Sequence, residues 1–67
     1  MRQREEIREA ITAVLEREGQ MSKKDLIYEV YVRLAVPQTE ICSEWTRMKK
    51  EGLVYCVSGL SGWVGIY

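Results

Sequence analysis

The first part of the chain places apolar residues with a helical period. Between Gln3 and Glu18 they recur every three or four positions, which predicts an amphipathic helix of about four turns, ended by Gly19. Arg4 and Arg8 form a like-charge pair one turn apart, so surface pairing is expected to add little. Packing of the apolar stripe should therefore hold this helix: Ile7, Ala10, Ile11, Val14 and Leu15.

The second helix is predicted to follow a short link at residues 19–21. Ser22 and Asp25 have the form of a capping box that would open it. From there to about Ala35 the chain is rich in β-branched and aromatic residues, which would also suit a strand. The cap and an i, i+4, i+8 set favour a helix: Leu26, Val30 and Leu34. Pro37 then closes this helix and can open the next one at its first position.

A third helix is predicted over residues 38–51. Its apolar residues lie on one face, which should be buried: Ile41, Trp45 and Met48. Gly52 follows a basic last turn and fits a residue of positive φ just past the helix. Three carboxylates fall along one flank: Glu40, Glu44 and Glu51. The face opposite the apolar one carries hydroxyls and cations and no acid: Thr39, Ser43, Thr46, Arg47 and Lys50.

The remainder of the chain reads as a β-hairpin. Residues 53–57 and 63–67 are rich in β-branched and aromatic side chains, and a connection with two glycines joins them. Alternation makes both faces of this hairpin apolar. One face can pack on the helices, and the other is left exposed or covered by something outside the chain. The two sets are Val54, Cys56, Val64 and Ile66, and Tyr55, Val57, Trp63 and Tyr67.

Length and composition limit what the chain can be. Its 67 residues suffice for one small domain, which buries only about 60% of the surface that the unfolded chain exposes. Such domains usually gain stability from disulfides, a metal or association. At 46% hydrophobic and 30% charged the composition is that of a globular protein. The charged segment at residues 1–6 leads into no apolar run, and no stretch suits a membrane helix, so we expect a cytoplasmic protein without a signal peptide.

The inventory of reactive side chains argues against an enzyme. The chain has no histidine and only two cysteines, so no zinc ligand set exists and no cofactor is expected. No nucleophile has a base beside it, and there is no Gly-rich phosphate loop or obvious ligand pocket. A Cys42–Cys56 disulfide is conceivable, but reduced packing residues are the commoner outcome in the cytosol. Ten basic residues balance ten acidic ones, so any basic surface must be local.

One junction motif carries a family resemblance. Trp45-x-x-Met48-x-x-x-Gly52-Leu53-Val54, preceded by Ile41, resembles the winged helix-turn-helix superfamily, where Leu-x-x-Leu-x-x-x-Gly-Leu-Ile/Val is common at the same place. The resemblance spans about residues 5–67 and implies an α+β fold, three helices with a C-terminal β-hairpin wing. The chain departs from the family pattern in a longer second helix and link. Its wing, residues 55–63, also has no Lys or Arg.

The resemblance implies that helix 38–51 is a recognition helix for double-stranded DNA, in a small transcriptional regulator acting as a homodimer. DNA contacts would come from Lys23, Lys24, Gln38, Thr39, Ser43, Thr46, Arg47 and Lys50. The plainer interpretation is that Arg47, Lys49 and Lys50 balance a helix dipole, with Arg47 paired to Glu51.

A competing hypothesis is a protein-interaction module that uses the uncharged wing and binds no nucleic acid. Under either hypothesis the candidate dimer or partner interface involves Tyr55, Trp63 and Tyr67, although Trp63 could instead cap the core of the domain. The four tyrosines are otherwise expected at the edge of the core, Cys42 as an inert, partly buried thiol, and the glutamates on the surface.

Overall fold

The computed structural model describes residues 3–67; Met1 and Arg2, part of the segment that argued against a signal peptide, lie outside this range. The described residues form an α+β fold of three helices and one three-stranded antiparallel sheet, which confirms the predicted class. The elements are α1 (Gln3–Glu18), β1 (Gln20–Ser22), α2 (Lys23–Leu34), α3 (Gln38–Lys50), β2 (Val54–Cys56) and β3 (Trp63–Ile66).

The helices end where the sequence predicts, and two glycines make this possible. Gly19 follows α1 with φ +81°, and Gly52 follows α3 with φ +80°. Both lie in the left-handed region, where a side chain would be strained. The Gly52 N–H donates to the Lys49 carbonyl at 3.1 Å, and the Leu53 N–H donates to the Met48 carbonyl at 3.0 Å, which turns the chain from α3 into the hairpin.

Ser22 is the N-cap of α2 as predicted, but two other details predicted for the helix starts are wrong. Ser22 does precede α2, but within the described residues its side chain makes no capping hydrogen bond. The Lys23 N–H instead donates to the Gly62 carbonyl at 2.7 Å, so the hairpin loop takes up an amide at the start of α2. Pro37 stands at the N-cap of α3 rather than at its first helical position. α2 ends at Leu34 because Ala35 adopts a left-handed conformation at φ 56°.

The sheet contains a strand that the sequence pattern does not reveal. Residues 19–21 read as a link, yet β1 pairs with β3, with Met21 opposite Val64, and the strand order is β1-β3-β2. A three-residue strand with one apolar side chain has no detectable alternation; its hydrogen-bonding partner comes from the far end of the chain. β2 and β3 are shorter than predicted, since Leu53, Val57 and Tyr67 lie outside them.

The core lies between the three helices and the inner face of the sheet. Trp45 and Met48 are buried as predicted, and Leu34, Cys42 and Ile66 pack at its margin. The buried apolar residues are Ile7, Ala10, Ile11, Val14, Leu15, Met21, Leu26, Ile27, Val30, Val36, Ile41, Trp45, Met48, Val54 and Val64. Because α3 buries its apolar face here, its opposite face must point away from the protein.

Candidate functional site

The outward face of α3 is uncovered. Its hydroxyl and basic side chains are all exposed, and no described part of the hairpin or of α1 and α2 lies over them. Four of them surround a shallow depression of about 270 Å³: Ser43, Thr46, Arg47 and Lys50. Thr39 and Gln38 are exposed nearer the start of the helix. We call this set of six residues the α3 front face.

The hydroxyls of the front face are not equivalent. The Thr46 hydroxyl donates to the Cys42 carbonyl one turn back, at 3.0 Å. Its proton is therefore committed to the helix, and only its lone pairs remain available to a ligand. Within residues 3–67 the hydroxyls of Thr39 and Ser43 make no such bond, so both can donate or accept.

Beside the front face, α3 carries a buried carboxylate. Glu44 is only 2% exposed, so the expectation that every glutamate lies on the surface is wrong. Arg8 of α1 donates to it, with Nε 2.8 Å from Oε2. Arg4 Nε lies 3.3 Å and Arg47 Nε 3.8 Å from its other oxygen. The like-charge pair Arg4 and Arg8 is thus brought together by one acid of another helix.

Arg8 also binds the last carboxylate of the same flank. Its Nη1 and Nη2 donate to the two oxygens of Glu51 at 2.9 and 3.1 Å, a bidentate contact. These hydrogen bonds lower the pKa of Glu51, and the bonds that Arg8 donates to Glu51, and to a lesser extent to Glu44, raise the pKa of Arg8. The expected Arg47–Glu51 pair is not formed; Glu51 belongs to Arg8, and Arg47 reaches Glu44 only at long distance.

A second group of predicted residues meets where α2 and α3 begin. Lys23, Lys24 and Gln38 line an open depression of about 810 Å³ together with Cys42 and residues 61–62 of the hairpin loop. Lys24 is exposed. Lys23 is half-buried, with its ammonium 5.9 Å from the Trp45 ring centroid, a cation–π distance. Its backbone N–H is occupied by Gly62, so that amide is not available to an anion.

The outer face of the sheet holds the predicted interface residues. Tyr55 is half-buried and lies across Gly65, where an added Cβ would come within 2.6 Å of its ring. Its hydroxyl accepts a hydrogen bond from Gln20 at 3.0 Å, and its ring centroid lies 4.8 Å from that of Tyr67. Tyr67 is 82% exposed and Trp63 is exposed. The structure therefore brings Tyr55 and Tyr67 together, and the Tyr55 hydroxyl has its hydrogen-bond partner within the chain.

Three of the four tyrosines do not lie at the core edge as expected. Tyr28 and Tyr31 of α2 are exposed, as is Tyr67; only Tyr55 fits the prediction. The α2 tyrosines lie outside the Leu26/Val30/Leu34 stripe, and that offset in the sequence could have predicted that they are exposed. Likewise, arginines one turn apart on α1 and acids on one flank of α3 could have pointed to the ion-pair network.

The described residues were also searched for metal sites, paired cysteines and membrane-spanning helices. Among residues 3–67 no three His, Cys, Asp or Glu side chains are grouped so as to hold a metal ion. Cys42, half-buried, and Cys56, exposed, are both free thiols. None of the helices in this part of the chain has the length and apolar content needed to cross a bilayer.

Comparisons of the chain with protein-family models, with curated proteins and with solved structures return no match.

Proposed function

We propose that the chain is a winged helix-turn-helix domain that binds double-stranded DNA through the α3 front face, as a small cytoplasmic transcriptional regulator acting as a homodimer. The element order and the sheet order β1-β3-β2, with β2 and β3 forming the hairpin that carries the wing, support this proposal. The observation that carries it is the state of α3: its hydroxyls and cations are uncovered, while Glu44 and Glu51 are bound by Arg8.

The zero net charge of the chain does not oppose this function, because the charges are unevenly distributed. Exposed acids are concentrated on α1, at Glu5, Glu6, Glu9 and Glu16. Of the α3 acids, Glu44 and Glu51 are bound by α1 arginines, whereas Glu40 is exposed and forms no ion pair with another described residue. A phosphate backbone that approaches the second half of α3 would therefore meet Arg47 and Lys50 beside carboxylates that are already paired.

The front face divides into two kinds of contact. Arg47 and Lys50 near the end of α3, with Lys24 at the start of α2, suit phosphate oxygens. Gln38, Thr39 and Ser43 carry short hydrogen-bonding groups near the start of α3, which suit base edges in the major groove. Thr46 is left as an acceptor, and Lys23 as a more distant charge over Trp45.

The wing has no assigned role in DNA contact. Residues 55–63 contain no charged side chain, so they offer no cation to the backbone. A domain with so few phosphate contacts should bind weakly as a single copy and lose affinity steeply as salt rises.

Fluorescence anisotropy with mixed-sequence duplexes, at low and at moderate salt, tests the proposal. We expect binding at low ionic strength that weakens as salt is added. A plot of log Kd against log salt concentration should rise linearly, with a slope set by a few phosphate contacts. Complete absence of binding at low salt, even to nonspecific duplex, would contradict the function.

A protein-interaction role through the hairpin is the second candidate, and one observation favours it. The uncharged loop at residues 57–62 includes the exposed Leu60 and leads directly into the exposed Trp63. The anisotropy experiment separates the two functions, since this candidate predicts no duplex binding at any salt concentration. The expectation that the chain is not an enzyme stays a prediction.

A further inference from the structure

Three arginines meet at the buried Glu44 carboxylate and use its two oxygens differently. Arg8 binds Oε2, with its Nε at 2.8 Å. The other oxygen, Oε1, has Arg4 Nε at 3.3 Å and Arg47 Nε at 3.8 Å. Arg4, from the first turn of α1, therefore lies beside Arg47 of the α3 front face, because both guanidinium groups are close to the same oxygen atom.

The donors of Arg8 are engaged within the protein, whereas most donors of Arg4 are not. Arg8 donates from Nε to Glu44 and from both terminal nitrogens to Glu51. Arg4 approaches Glu44 through Nε, and its terminal nitrogens make no hydrogen bond with another described residue. Its side chain is 63% exposed, against 32% for Arg8. An exposed guanidinium with two unused terminal nitrogens suits a phosphate group, which it can bind through two parallel hydrogen bonds.

The charges around Arg4 nearly cancel as a group. A depression of about 240 Å³ between α1 and α3 is lined by Arg4, Glu5, Arg8, Glu44 and Glu51. Arg8 binds the last two of these acids, and Glu5 is exposed without an ion pair to another described residue. A nearly neutral cluster attracts a polyanion only weakly at long range, so Arg4 can contribute to binding only through direct contact.

Arg4 lies next to the part of the front face that the proposed function assigns to phosphate. Arg47 and Lys50 line the depression on the outward side of α3. Arg47 is 50% exposed, and it shares the Glu44 oxygen with Arg4. A backbone phosphate that reaches Arg47 therefore comes close to the first turn of α1 as well.

We propose that Arg4 binds a phosphodiester group of the DNA backbone beside Arg47, so that the contact surface extends from α3 onto the first turn of α1. Glu44 acts as the common anchor, because it holds both guanidinium groups near one buried oxygen. Anchoring of this kind lowers the entropy cost of ordering two long side chains on binding. A backbone contact carries no sequence information, so Arg4 contributes equally to all duplex sequences.

This inference rests on the proposed function, and the two fail differently. A native chain that binds no duplex at low salt overturns both. A native chain that binds duplex DNA, and in which the loss of Arg4 matters no more than the loss of a distant arginine, overturns the role of Arg4 alone.

Fluorescence anisotropy over a salt series compares Arg4→Gln with Arg17→Gln. Both substitutions remove one charge from α1 at arginines of similar exposure, 63% and 53%, so they change the net charge equally. We expect Arg4→Gln to weaken duplex binding several-fold and to lower the slope of log Kd against log salt concentration by about 1. The Arg17→Gln variant should keep the native slope. Equal slopes for the two variants overturn the contact.

Arginine modification of the native chain gives a second measurement that depends on no variant. Phenylglyoxal reacts with exposed arginines, and mass spectrometry after limited reaction measures the rate at each residue. A saturating mixed-sequence duplex should slow the reaction several-fold at Arg4 and Arg47 and leave the rate at Arg17 unchanged. Protection of Arg17 equal to that of Arg4, or no protection of Arg4, overturns the contact.

Discussion

Two polar sides of α3, the acidic flank and the front face, have opposite surroundings. On the side of α1, Glu44 and Glu51 are held by Arg8 at 2.8–3.1 Å, and Glu44 is shut away from solvent. On the front face, Ser43 and Lys50 are exposed and have no ion pair or side-chain hydrogen bond with the described residues. The charges of one side bind the fold together, and those of the other side are left for a partner.

Burial and neighbouring side chains, rather than the presence of charge, therefore decide the role of each surface. A carboxylate at 2% exposure is stable there only with compensating cations, so Arg8 is a structural requirement. Arg47 lies between the two sides, half-exposed and 3.8 Å from Glu44, which is too long for a strong ion pair. Substitutions on the α1 side should therefore lower stability, whereas substitutions on the front face should weaken DNA binding.

The largest expected effect is on the α1 side. Arg8→Ala leaves Glu44 buried with only the distant Arg4 and Arg47, and should lower the free energy of unfolding by about 3 kcal/mol. Urea denaturation measures it. Arg17→Ala is the matched control, because Arg17 is an α1 arginine whose ion pairs are exposed, and it should change stability by less than about 1 kcal/mol.

A second substitution sharpens that result. Adding Glu44→Met to Arg8→Ala removes the uncompensated charge and should recover part of the lost stability. If the double variant is as unstable as the sum of the two single ones, the buried charge is not the reason for the loss.

The next effect is on the front face and appears in DNA binding rather than in stability. Lys50→Ala should weaken duplex binding and reduce the salt slope by about 1, while the free energy of unfolding changes by no more than about 0.5 kcal/mol. Arg47→Ala should weaken binding similarly and lower stability slightly, because it loses the contact with Glu44. Unfolding of either variant would show that the front face is part of the fold.

A smaller effect separates two hydroxyls of the front face. Ser43→Ala removes a group that can donate to a base or a phosphate, and should cost about 1 kcal/mol of binding free energy. Thr46→Val should cost less, because the Thr46 proton is already donated to Cys42. Equal losses in a duplex titration, or a larger loss for Thr46→Val, would reverse this assignment.

The smallest effect is a pH dependence of stability on the α1 side. The Arg8 hydrogen bonds keep the pKa of Glu51 below its ordinary value, so the unfolded state binds more protons as the pH falls. The stabilisation by Glu51 is full above the ordinary carboxylate pKa, about 4.3, and is lost as the pH drops through the folded value. The Glu51→Gln substitution should make the melting temperature depend less on pH in this range. If the native chain and the Glu51→Gln variant lose thermal stability equally as the pH falls, Glu51 is not the source of the pH dependence.

Much of the fold could be predicted because its signals are local. The α1 stripe, the set Ile41, Trp45 and Met48, and the positive φ of Gly19 and Gly52 depend only on near neighbours in the chain. The exposure of the front face follows from the same helical period. β1 and the state of Ser22 were not predictable in this way, because both depend on hairpin residues about 40 positions away, Val64 and Gly62.

Three amphipathic helices, a hairpin and a helix face without acids are thus encoded in the residue pattern. Those are properties of period and spacing. The contact of Arg4 and Arg8 with Glu44, the burial of Glu44 and the third strand of the sheet appear only in the folded molecule. The physical reason is that ion pairing, burial and strand pairing are interactions between distant segments, and their partners exist only once the helices have packed.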